Sequence, residues 1–187
     1  MRRAALLVLL LSGCGEAAPP APATAAPSVE PEPAREPFRV VSPEERVPEF
    51  HVRATDGTVF DSDALVGKRP FVVVFYATWC SVCEMKLPVV RHVLEGHPEI
   101  PVIGVALDEA DTWRAVPGYV ARHSLAFPTV RGERFPRFAL AYDPFQSVPA
   151  VAVVGKSGYL IDYQIGFSQS HERRLRGALE VAGGVMK

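Results

Sequence analysis

The sequence predicts an α/β domain with a mixed central sheet, helices on both faces and a β-hairpin extension at its N-terminal side. Two uncharged runs, residues 71–77 and 102–107, have the length and β-branched content of strands buried on both faces. Each is followed by a stretch of helical composition. Two further strand-like runs flank Gly155-Lys156-Ser157-Gly158, and a last amphipathic segment follows them. Strands that alternate with helices and then close as a hairpin give a sheet of mixed direction, covered on both sides.

Residues 50–54 alternate apolar with polar positions and end at Asp56-Gly57, a turn signal, before Thr58-Val59-Phe60. That pattern reads as a small hairpin at a sheet edge. The strand at 71–77 leads into a helix over residues 80–94, with Leu87, Val90, His92 and Leu94 covering its middle and end. Pro88 lies inside that helix and predicts a kink, because it removes a backbone donor and crowds the preceding turn. Residues 110–123 read as helix disturbed by Pro117. Residues 150–154 and 159–165 form the closing hairpin. Ser170 is placed to cap a final helix carrying Leu175, Ala178, Leu179 and Ala182 on one face, stopped by Gly183-Gly184.

The first part of the chain is an address rather than fold. Arg2-Arg3 precede an unbroken apolar run at residues 4–11, then Ser12, Gly13 and Cys14. The run is too short to span a bilayer, which takes about 20 apolar residues, but it suits an export signal. Leu11-Ser12-Gly13-Cys14 resembles a bacterial lipobox, which implies lipidation of Cys14 as the first mature residue. Residues 17–37 contain seven alanines and seven prolines, too few large apolar groups to pack and too many prolines for helix or sheet. They predict a semi-extended tether, about 3.1 Å per residue where polyproline-like. The expected organisation is a signal peptide at 1–13, an anchor and tether at 14–46, and one folded domain at 47–187.

The 20 basic and 21 acidic residues give a net charge of -1, which leaves no electrostatic footprint for nucleic acid. Two basic clusters, Arg131/Arg134/Arg137 and Arg173/Arg174/Arg176, read as solvated faces. The five histidines show no ligand spacing and read as surface or half-buried residues. Three cysteines exclude a simple disulfide framework.

The chemistry concentrates at Trp79-Cys80-Ser81-Val82-Cys83. A strand delivers Cys80 to the first turn of a helix, where free N–H groups and the positive dipole end favour a thiolate. Cysteines so placed have pKa values lowered to about 3.5–7.5. Cys83 follows one turn later on the same face, within bonding reach. Cys80, at the tip, is the expected nucleophile, and Cys83, beneath it, the resolving thiol. A zinc site would need a second ligand pair. Covalent haem attachment would need His where Glu84 stands. A purely structural disulfide closing so short a loop would restrain little chain entropy. Redox exchange is the remaining chemistry, with the Cys80–Cys83 disulfide itself as the redox group and neither cofactor nor metal.

Residues 75–88 (FYATWCSVCEMKLP), with Val148-Pro149 and the Gly155–Gly158 turn, resemble the TlpA/ResA-like branch of the thioredoxin superfamily across residues 47–184. The resemblance implies a thioredoxin-like fold and a cis Pro149 beside the cysteine pair. It also implies that the Val148 backbone pairs with an extended substrate strand, a form of β-augmentation. Trp79 is expected in an apolar collar around the site, and Phe127 in the core. The implied activity is disulfide reduction on exported proteins, apocytochrome c among them, by a membrane-tethered monomer, and the same residues could also serve an oxidase or isomerase. Its electrons would come from an integral-membrane thiol donor, since the compartment itself is oxidising.

Two positions depart from these relatives. Thioredoxins carry a buried Asp where this chain has Val74, and many TlpA/ResA-like proteins carry Glu where it has Lys86. Glu84, Asp108 and Asp143 are the candidate replacements for proton handling. The Lys86 ammonium would favour a nearby thiolate, unless the side chain runs to solvent along its aliphatic stem. Two other functions use this fold. A peroxiredoxin-like thiol peroxidase requires Thr or Ser three residues before its cysteine, where Cys80 has Ala77. Copper-carrying modules use a CxxxC pair and a distant His, whereas only Ser81 and Val82 separate these cysteines.

Overall fold

A computed structural model describes residues 46–184; the signal, Cys14 and the tether lie outside the described residues. In chain order the elements are β1 (His51–Arg53), β2 (Val59–Asp61), α1 (Ser62–Leu65), β3 (Phe71–Tyr76), α2 (Ser81–Glu95) and β4 (Val102–Ala106). There follow α3 (Val116–Arg122), β5 (Thr129–Arg131), α4 (Pro136–Tyr142), β6 (Ala150–Val154), β7 (Leu160–Ile165) and α5 (His171–Ala182). Short 3-10 turns at Trp113–Ala115 and Gly132–Arg134 precede α3 and α4.

The five-stranded sheet has the order β5-β4-β3-β6-β7. β3, β4 and β5 are parallel; β6 runs antiparallel to β3, and β7 to β6. β1 and β2 pair separately as the expected hairpin, with Val52 opposite Phe60. This is the thioredoxin-like arrangement that the resemblance implies.

β3 explains why its run is uncharged: all six of its residues are buried. Successive side chains of a strand point to opposite faces. Val72, Val74 and Tyr76 pack with α2, α3 and α5. Phe71, Val73 and Phe75 pack with the hairpin and α4, where Phe50, Phe138 and Tyr142 meet at ring distances of 4.9–6.0 Å.

Two local expectations need correction. The buried face of α2 is Cys83, Lys86, Leu87, Val90, Val93 and Leu94; His92 is exposed, and Val93 takes the place assigned to it. α2 runs from Ser81 to Glu95 with Pro88 inside it, on its solvent side. The helix expected over 110–123 begins only at Val116, with Pro117 in its first turn, where a missing N–H costs nothing. β5 and α4 had no counterpart in the sequence reading.

Candidate redox site

Cys80 is the N-cap of α2, with extended backbone (φ -90°, ψ 102°). Its Sγ accepts a hydrogen bond from the Cys83 N–H at 3.1 Å, and the two cysteines form a disulfide across a Cα separation of 5.3 Å. The cap geometry supplies what the sequence could only suggest: an N–H of the first helical turn points at the Cys80 sulfur. Cys80 is 6% exposed and Cys83 0%. Both sulfurs therefore lie in the core, which corrects the expectation that Cys80 stands exposed at the helix tip.

Three features hold the loop before Cys80. Asp108, fully buried just after β4, accepts from the Thr78 N–H at 3.0 Å and the Thr78 hydroxyl at 2.5 Å. The Cys80 N–H donates to the Ala77 carbonyl at 3.2 Å. The Leu107 N–H donates to the Tyr76 carbonyl at 2.9 Å, tying the ends of β3 and β4 together. Asp108 thus has both carboxylate oxygens engaged in bracing.

The Val148–Pro149 peptide is cis. Phe75 pairs with Ala150, so the register sets Val148-Pro149 beside the end of β3 that leads to Cys80. The Pro149 carbonyl accepts from the Gly166 N–H at 2.8 Å, and Val148 is half-buried between the two cores. Trp79, Phe145 and Phe167 lie in segments that leave this end of the sheet, and all three are exposed. Phe127 is buried in the core against Gly104, as expected.

Of the other proton-handling candidates, Glu84 faces α3, 2.9 Å from His123 Nε2 and 3.6 Å from Arg122. Asp143 is buried and accepts from the Tyr163 hydroxyl at 2.6 Å; burial pushes its carboxyl above the usual range. Among the described residues neither makes a hydrogen bond or ion pair to Cys80 or Cys83.

Lys86 does not reach solvent. It is 1% exposed, and its Nζ donates to Gln164 Oε1 at 2.9 Å and to His171 Nδ1 at 2.8 Å. Burial brings its pKa down to about 8, against an opposing pull from the Asp162 carboxylate. Gln164 Nε2 donates to Asp162 Oδ2 at 2.6 Å, and Arg174 pairs with Asp162. His171 is buried, which corrects its reading as a surface or half-buried residue, and burial and the Lys86 charge lower its pKa. His171 and Gln164 were missed because nothing in their local sequence marks them.

Among the described residues no group of three or more His, Cys, Asp or Glu is arranged to hold a metal. No helix among them is long and apolar enough to cross a membrane.

Residues 42–179 match the Redoxin family, a span that contains both cysteines and Pro149. Thiol-disulfide oxidoreductase ResA of Bacillus cereus is 28% identical over 133 residues, covering 71% of this chain and 74% of the relative. Soluble secreted antigen MPT53 of Mycobacterium bovis is 28% identical over 109 residues, covering 57% and 61%. Among solved structures, a thio-disulfide isomerase from Thermus thermophilus superposes with TM-score 0.59 at 25% identity, covering 76% of this chain and 98% of that one. StoA from Bacillus subtilis superposes with TM-score 0.58 at 18% identity, covering 72% and 98%.

Proposed function

Because this chain belongs to the Redoxin family of thioredoxin-fold thiol–disulfide oxidoreductases, we propose that it reduces disulfides of exported proteins while tethered to a membrane. The observation that carries the reading is the Cys83 N–H directed at Cys80 Sγ, 3.1 Å away, at the start of α2. In the reduced protein that donor and the helix dipole favour a Cys80 thiolate. The thiolate attacks a substrate disulfide, forming a mixed disulfide and releasing one substrate thiolate. Cys83, once deprotonated, attacks Cys80 Sγ; the internal disulfide forms and the second substrate thiolate leaves.

Val148 offers its backbone to an extended substrate strand next to cis Pro149, and Trp79 packs over the approaching polypeptide. Lys86 favours the thiolate form of the pair. Anchoring follows from Leu11-Ser12-Gly13-Cys14 and the Pro/Ala tether. Electrons come from an integral-membrane thiol donor, and apocytochrome c is one candidate substrate.

Direction is tested by the steady-state redox state in intact cells. Acid quenching followed by thiol alkylation should find the Cys80–Cys83 pair mostly reduced, as a reductase fed by a donor requires. A pair found fully oxidised would make the protein an oxidase.

A further inference from the structure

Lys86 lies three residues beyond Cys83 on α2, and both are among the most buried residues of the helix. Residues so spaced have Cβ atoms about 5–6 Å apart, and long helical side chains lean back over the preceding turn. Its partners come from two other elements. Gln164 on β7 pairs with Val151, one step from the Ala150–Phe75 register that leads to Cys80. His171 opens α5. The group is closed by Gln164 Nε2 donating to Asp162 Oδ2 at 2.6 Å and to the His171 carbonyl at 3.3 Å.

We propose that Lys86, held by Gln164 and His171 behind Cys83, takes up a proton when the Cys80–Cys83 disulfide is reduced and releases it on oxidation. This deepens the oxidoreductase reading and rests on it. A buried ammonium is poorly solvated and needs a counter-charge. In the oxidised protein the charges facing Lys86 are Asp162 of β7 and Arg174 of α5, and these two also pair with each other. Lys86 Nζ lies 2.8 Å from His171 Nδ1, and burial and the Lys86 charge lower the His171 pKa. Glu84, on the same helix, faces α3 instead.

Reduction adds the missing counter-charge. Two electrons from a thiol donor break the Sγ–Sγ bond; Cys83 takes one proton as a thiol, and Cys80 is left as a thiolate. Its negative charge raises the proton affinity of Lys86 from the value of about 8 in the oxidised protein. Above that pH a second proton enters from solvent onto Nζ, and oxidation returns both protons. By linkage, the reduced form is favoured wherever Lys86 is charged, and this advantage fades as pH rises through the Lys86 titration.

The test equilibrates full-length wild type and Lys86→Met with glutathione from about pH 6 to about pH 10, and compares their equilibrium constants for reduction. The ratio of the two removes the titration of glutathione itself. It should favour wild type by about tenfold at the acid end, the effect of one pK unit, and fall toward one above about pH 8. Gln164→Leu keeps Lys86 but removes an acceptor of its ammonium, and should move that fall to lower pH. If Lys86→Met does not fold, wild type against Gln164→Leu gives a ratio that departs from one only between their two titrations. A ratio that does not change with pH, or a Gln164→Leu titration that does not move, overturns the proposal. A wild type that does not equilibrate with glutathione at any pH overturns the oxidoreductase reading as well.

Discussion

Cys80 and Cys83 have the same side chain and unequal surroundings: one sulfur accepts an N–H at a helix cap, and the other is sealed in the core. Reduced protein treated with iodoacetamide at neutral pH should therefore be carboxamidomethylated at Cys80 first, by at least about tenfold, as read by peptide mass spectrometry. Faster labelling of Cys83 would reverse the assigned roles. The charge at position 86 gives a second expectation. Lys86→Glu should raise the thiol pKa and lower the reduction potential by tens of mV, where about 30 mV corresponds to about 1.4 kcal/mol. A potential unchanged within error would remove Lys86 from the redox pair. The cysteines were legible in the sequence because their chemistry is encoded in a four-residue spacing and the strand before it. The burial of Lys86 was not, because its acceptors are 78 and 85 residues away in sequence. No local pattern records which lysine a later strand and helix will cover.

At the scale of elements, legibility followed length and composition. β3 and β4 were visible as uncharged runs, and α5 by its apolar stripe. β5 spans three residues and has no period to detect. α4 opens on Pro136 after a turn, so its start resembles a break. Pro117 predicts a disturbed helix, but it stands in the first turn of α3. A proline in a first turn is harmless, because the N–H it lacks has no helical partner there. The packing of these elements makes two stability predictions, each measured by urea unfolding. A Cβ added at Gly104 on β4 would lie 2.8 Å from the Phe127 ring. Gly104→Ala should destabilise the protein by about 1–3 kcal/mol through overpacking. Leu175 on α5 is 1% exposed against the α2 face of the sheet, and Leu175→Ala should cost about 2–5 kcal/mol. Little change in either variant would mean that these contacts do not hold the helices to the sheet.

For the whole molecule, the anchor and the redox domain should be separable. Cys14→Ala should abolish lipid attachment and membrane partition, read by intact mass and fractionation, while leaving glutathione equilibration of Cys80–Cys83 unchanged. An unmodified N-terminus at another residue in the wild type would contradict the anchoring. The central claim is that a membrane-held Cys80 thiolate attacks the disulfides of exported proteins and Cys83 resolves the product. It is tested most directly by trapping. Full-length Cys83→Ala and Cys80→Ala are each expressed in cells, quenched with acid, alkylated, and resolved without reductant. Cys83→Ala should accumulate mixed disulfides with exported proteins in the membrane fraction, all released by dithiothreitol, and Cys80→Ala none. Adducts on Cys80→Ala, or none on Cys83→Ala, would contradict the claim.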